Sequence, residues 1–155
     1  MKQDKFLTGI LIGIGVLILL ALGLFFTRQG KTEYVADSTP EGVVHNYILA
    51  ILDKDYEKAY AYLSNTEDKP TYEEFRDSFL NHMVYPEDVG VEVGASEIHD
   101  DIATVEMTLY YSYADPFSIN SGSKDNASLV LENDAWKLSS MPYNFWDYNW
   151  YQESR

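Results

Sequence analysis

From position 6 to position 26 the chain reads FLTGILIGIGVLILLALGLFF, with no charge and with Thr8 as its one polar side chain. Apolar residues fall on every face at helical spacing. At about 1.5 Å per residue the run is roughly 30 Å long, the thickness of a bilayer core. One small domain cannot bury all faces of such a helix, so the pattern predicts a transmembrane helix over 6–26 with membrane lipid around it. Residues 1–5 precede it. The polar stretch 27–38, which contains Gly30, reads as an exposed linker.

A helical period then returns. Thr39 can cap a helix that opens on Pro40 and Glu41. Val44, Tyr47, Ile48 and Ile51 form its stripe, widened by Val43 and Leu52, and Asp53-Lys54-Asp55 breaks it. A second short helix carries Tyr56, Ala59, Tyr60 and Leu63. After a polar loop at 64–70, Thr71 and Glu74 form a Thr-x-x-Glu capping box. This third helix presents Tyr72, Phe75, Phe79, Leu80 and Met83, and Pro86 should end it.

From Val89 the period becomes two. Val89, Val91 and Val93 alternate with Gly90, Glu92 and Gly94, and Asp100-Asp101 signals a turn. The run 102–113 is a long strand candidate whose Ala103, Val105, Met107, Leu109 and Tyr111 should face the core. Residues 114–126 read as a loop, with an edge strand expected around Phe117 and Ile119. Residues 127–132, the turn Asn133-Asp134 and residues 136–139 read as a hairpin. Helices followed by long antiparallel strands give an α+β fold: three helices packed on a curved antiparallel sheet, behind the N-terminal helix. Strands of this length need twist or a bulge to curl. The domain is expected over 39–142, with an aromatic C-terminal tail at 143–155.

Composition and charge sharpen the setting. The chain is 46% hydrophobic and 23% charged, the mix of a folded domain. It has no cysteine, which removes disulfides, thiolate metal sites, a thiol nucleophile and a lipoprotein anchor. Beyond position 31 there are 7 basic and 24 acidic residues, a net charge of −17, which repels nucleic acid. A cleaved signal peptide is the rival to the anchor: Lys2 and Lys5 supply a basic start and Ala21-Leu22-Gly23 a small-x-small site. The apolar run, however, outlasts a signal core of about 7–15 residues. Lys2, Lys5 and the terminal amine, offset by Asp4, nearly balance Arg28 and Lys31. The expected topology is still single-pass in the cell membrane, N-terminus cytoplasmic and domain extracytoplasmic. Gly9 and Gly13 have the spacing of a helix-dimer face and are also ordinary membrane glycines, so a homodimer stays open.

Candidate chemistry is thin. His45 and His82 fall in the expected helices with no carboxylate or second histidine at ligand spacing. His99, Asp100 and Asp101 read as an exposed turn. Glu73-Glu74 and Asp100-Asp101 lack the Asp-x-Asp-x-Asp-Gly order of a calcium loop, so no metal site and no cofactor are expected. Tyr47, Tyr60, Tyr110 and Tyr111, with Tyr113, are candidates for lining a cavity, or for core and rim positions with the hydroxyl at the edge. In the tail, Phe145, Trp146, Trp150 and Tyr151 are interface candidates. The alternative is that the tail folds back and closes the domain.

The stretch TPEGVVHNYILAILDKDYEKAYAYLS, TYEEF at 71–75 and AWKL at 135–138 resemble nuclear transport factor 2-like, or cystatin-like, domains of membrane-anchored bacterial proteins. The resemblance covers about 38–140 and rests on pattern, not on an invariant motif. It implies a cone of three helices against a curved sheet, whose mouth is often a ligand pocket. Some relatives are enzymes with an Asp–His pair or a Tyr and an Asp in the cone, and no stretch here matches such a motif. The expectation is a non-catalytic extracytoplasmic domain acting in protein–protein interaction or envelope-complex assembly, with an envelope protein as partner. The alternative is a small-molecule-binding or enzymatic cone.

Overall fold

The computed structural model describes residues 5–28, 33–111 and 122–151; in the first helix, side chains are described from 8 to 23. That helix, α1 (Lys5–Arg28), is 24 residues long. Its described side chains from Ile10 to Leu22 are 43–69% exposed wherever they are large and apolar. Among the described residues no helix is long and apolar enough to cross a membrane. The transmembrane helix expected over 6–26 is therefore not supported by the described residues. The edge strand expected at Phe117 and Ile119, and Tyr113, lie outside the described residues.

Residues from Tyr34 onward form a second unit. Thr39 caps α2 (Pro40–Leu52) by accepting from the Gly42 N–H at 3.2 Å. Gly42 is needed for close approach: a Cβ there would stand 2.1 Å from the Ala36 carbonyl oxygen. One turn on, buried Asn46 accepts from the Val35 N–H at 2.9 Å and donates to the Val35 carbonyl at 2.8 Å. Part of the expected linker is therefore fastened to the domain. The Lys58 ammonium adds to this, 3.1 Å from the centroid of the Tyr34 ring.

Asp55 caps α3 (Tyr56–Ala61), and the predicted capping box opens α4 (Tyr72–Leu80). Thr71 N–H and Oγ1 both reach Glu74 Oε2, at 2.8 and 2.9 Å. These bonds hold the Glu74 carboxyl below its ordinary range. Two helix ends differ from expectation. The third helix was expected to run through Met83 to Pro86, but it stops at Leu80. His82 takes φ 54°, Met83 N–H returns to the Ser78 carbonyl at 2.9 Å and His82 N–H to Phe79 at 3.3 Å. This is a Schellman ending with histidine in the left-handed position usually held by glycine. His82 is accordingly outside the helix, and Pro86 opens a 3-10 turn, Pro86–Asp88, instead of ending one. The end of α2 repeats the device with Lys54 at φ 60°, Asp55 N–H returning to Ala50 at 2.8 Å. Leu63, expected in the second helix, lies beyond it and pairs in parallel with Leu138.

Four antiparallel strands follow in sequence order: β1 (Val89–His99), β2 (Ile102–Tyr111), β3 (Ser123–Glu132) and β4 (Ala135–Ser140). Asp100 at φ 53° turns the first hairpin, and Asn133 and Asp134 at φ 51° and 63° turn the last. The expected inward set on β2 is buried at Ala103, Val105, Met107 and Leu109 and half-buried at Tyr111. Register shifts interrupt β1 between Val93 and Ser96, and the β3–β4 pairing between Ser128 and Leu129. The first is tied to the α2 start: Ser96 N–H donates to Glu41 Oε1 at 2.9 Å and the Ser96 hydroxyl to the same oxygen. Among the described residues the architecture is thus α+β, four helices and a four-stranded antiparallel sheet.

Candidate functional site

The space between helices and sheet is the place where this architecture could hold a ligand. It is filled by the chain's own C-terminal segment. Phe145, Trp146 and Trp150 are 0, 5 and 6% exposed and join one core with Tyr47, Phe75 and Phe79. Trp150 packs on Phe75 at 4.9 Å and on Trp146 at 5.0 Å between ring centroids. Side-chain bonds hold the segment. The Tyr47 hydroxyl donates to the Phe145 carbonyl at 2.8 Å, and the Tyr151 hydroxyl to the Ser64 carbonyl at 2.7 Å. Trp150 Nε1–H donates to Ser78 Oγ at 3.2 Å, and Ser78 Oγ is 3.0 Å from Asp147 Oδ2. Of the two readings of the tail, the fold-back is the arrangement found. Phe145, Trp146 and Trp150 are core residues here, and Tyr151 is half-buried.

The four candidate tyrosines are not brought together. Tyr47 is at the centre of the core, and burial pushes its phenol well above the ordinary value. Tyr60, on α3, donates to the Pro70 carbonyl at 2.8 Å and lies under the Lys69 ammonium. Tyr110 is on the outer sheet face, donating to Glu92 at 2.8 Å. Tyr111 sits at the sheet end, 3.3 Å from Asn144 Oδ1 and 3.3 Å from the Tyr143 hydroxyl. That hydrogen bond with Tyr143, then burial, pushes the Tyr111 phenol up to about 12. Burial does the same for Tyr151, to about 12. At neutral pH these phenols are proton donors, each with an acceptor inside the chain, and not bases.

The remaining candidates are scattered. His45 is half-buried on α2 and His99 is exposed beside the Asp100 turn. Among the described residues no three histidine or carboxylate side chains stand close enough together to hold a metal ion.

Two hollows flank α4. The larger, about 660 Å³, lies between α4, the 67–71 loop and the C-terminal segment, with Trp150 in its wall and Glu67, Asp68, Glu73, Glu74, Asp77 and Asp147 around it. Lys69 is its one basic residue. The Lys69 ammonium is spent on the Leu63 carbonyl at 3.3 Å and Asn65 Oδ1 at 2.9 Å, and burial lowers its pKa. The smaller, about 190 Å³, opens between the ends of α2 and α4 beside Leu52, Leu80 and Tyr85. Sequence reasoning missed both. The exposure of Leu80 and Met83 follows from the early end of α4, and no glycine announces that end.

No protein-family model matches the chain, and no curated protein matches it. Among solved structures it is similar to a provisionally assigned calcium/calmodulin-dependent protein kinase type II association domain from Thiobacillus denitrificans. The identity is 12% and the TM-score 0.46, over 64% of this chain and 89% of that one. It is similar to a provisionally named nuclear transport factor 2-like transpeptidase from Campylobacter jejuni at 12% identity and TM-score 0.42, over 64% and 96%. A cystatin-fold protein from Novosphingobium aromaticivorans matches at 12% identity and TM-score 0.43, over 66% and 95%. At this level the likeness carries nothing about activity, substrate or partner, and the α+β architecture stands on the elements described above.

Proposed function

We propose that this chain is a single-pass membrane protein whose extracytoplasmic, nuclear transport factor 2-like domain works by binding another protein, without catalysis. The observation that carries the reading is the filled interior. Tyr47, Phe145, Trp146 and Trp150 occupy the space a small ligand would need, and the Tyr47 hydroxyl and Trp150 Nε1–H are bonded within the chain. An apolar pocket with a few convergent polar groups is what small-molecule sites require. The anchor is supported by the uncharged run 6–26 and by a helix of 24 residues whose described apolar side chains find no cover. The acidic balance beyond position 31 favours protein over nucleic acid as partner.

The 660 Å³ hollow keeps small-molecule binding as a second reading, since its volume falls in the ligand-site range. Chemical cross-linking of the full chain in its native membrane, followed by native mass spectrometry of the solubilised species, separates the two. The first reading expects adducts with a defined protein and no retained small molecule. A stoichiometric small molecule with no protein adduct contradicts it.

A further inference from the structure

The Schellman endings of α2 and α4 meet at the smaller hollow, with Lys54 and His82 on its lip. Three large apolar side chains line it at 48–53% exposure: Leu52, Leu80 and Tyr85. Met83, 54% exposed, lines the acidic hollow while its neighbours His82 and Val84 line the smaller one, so the segment 82–84 is a common wall between an apolar seat and an acidic trough. The trough holds six carboxylates against the single ammonium of Lys69, and that ammonium is already bonded.

We propose that this end of α4 docks an amphipathic, basic segment of a partner protein. Its apolar side chain seats against Leu52, Leu80 and Tyr85, and its Lys or Arg residues lie over Glu73, Asp77, Glu67 and Asp68. Charge selects this occupant. A second copy would bring its own −17 beyond position 31 and repel. An anionic lipid surface is repelled by the same trough. A basic amphipathic segment satisfies both halves, since apolar seats supply most of the affinity and the charge supplies steering and selectivity. The inference rests on the protein-binding reading and names its surface and partner chemistry.

The test uses the full chain in nanodiscs of zwitterionic lipid. The probe is a labelled helical peptide of about four turns with leucines on one face and lysines on the other, read by fluorescence anisotropy against empty nanodiscs. Binding is expected to weaken about tenfold in Leu80→Glu and in Glu73→Lys/Asp77→Lys. Leu80→Ala should weaken it less, and Glu106→Lys on the outer sheet face should leave it unchanged. A peptide with glutamates for lysines should not bind. Equal affinity across these variants, or no binding above empty discs, overturns the proposal.

A photoreactive residue placed at 80 or at 106 in native membranes separates this failure from that of the broader reading. A protein adduct from position 80 and not 106 supports the surface. An adduct from 106 alone, or equal yields at both, overturns the surface and leaves protein binding standing. No adduct at either position overturns both.

Discussion

The helix at 5–28 and the segment at 143–151 both carry several large apolar or aromatic side chains, and they end differently. Phe145, Trp146 and Trp150 are at most 6% exposed, while the large side chains of α1 between Ile10 and Leu22 are at least 43% exposed. The tail is irregular. Its own backbone bonds are local, from Phe145 N–H to Pro142 and from Trp150 N–H to Asp147. It is held by ring packing and side-chain bonds from α2, α4 and the segment after α3. The difference is one of neighbours. Aromatics that find a cavity inside the fold become core, whereas the large side chains described in α1 stay exposed.

The largest expected effect tests the tail as core. Trp150→Ala should destabilise the domain by about 3–5 kcal/mol in urea unfolding of the detergent-solubilised chain, as buried Trp truncations do. A loss under about 1 kcal/mol would mean that the segment is a removable appendage. Next, Asn46→Ala should cost about 2 kcal/mol, because it orphans the N–H and the carbonyl of Val35. Hydrogen exchange at Val35 should rise with it. In the opposite direction, His82→Gly should stabilise by about 1 kcal/mol, since glycine takes φ 54° without the Cβ penalty.

Acid acts more gently. The hydrogen bond from Ser96 is the main cause that lowers the Glu41 carboxyl below its ordinary 4.5. A depressed folded value means that its contribution is full above pH 4.5 and is lost as pH falls through the folded value. Glu41→Gln should therefore flatten the loss of stability below pH 4.5 without abolishing it, because Glu74 is lowered by its own capping box. A wild-type slope in the variant would show that the link to the bulge contributes nothing. The smallest effect sharpens the contrast most: Leu17→Ala in α1 should leave urea unfolding of the domain within about 0.5 kcal/mol.

Much of the fold was legible because local signals agreed with one another. Thr39-Pro40-Glu41, the Thr71/Glu74 box, the alternation on β2 and the Asn133-Asp134 turn each specify an element with little tertiary help. His82 takes a left-handed conformation that its side chain does not advertise, so the end of α4 and the hollow beside it could not be read, whereas Asp53-Lys54-Asp55 did mark the end of α2. The candidate tyrosines were the right residue type for a cavity but are spread over α2, α3 and the two faces of β2. The tail's burial depended on a space that only the assembled helices and sheet create.

Alkaline carbonate extraction of cell membranes, combined with protease added from outside, tests the anchored-domain claim most directly. The account predicts that the chain stays in the pellet with its first residues intact and that residues beyond α1 are cut without membrane rupture. Release into the supernatant, an N-terminus beyond Ala21, or protection of the domain until the membrane is broken would contradict it.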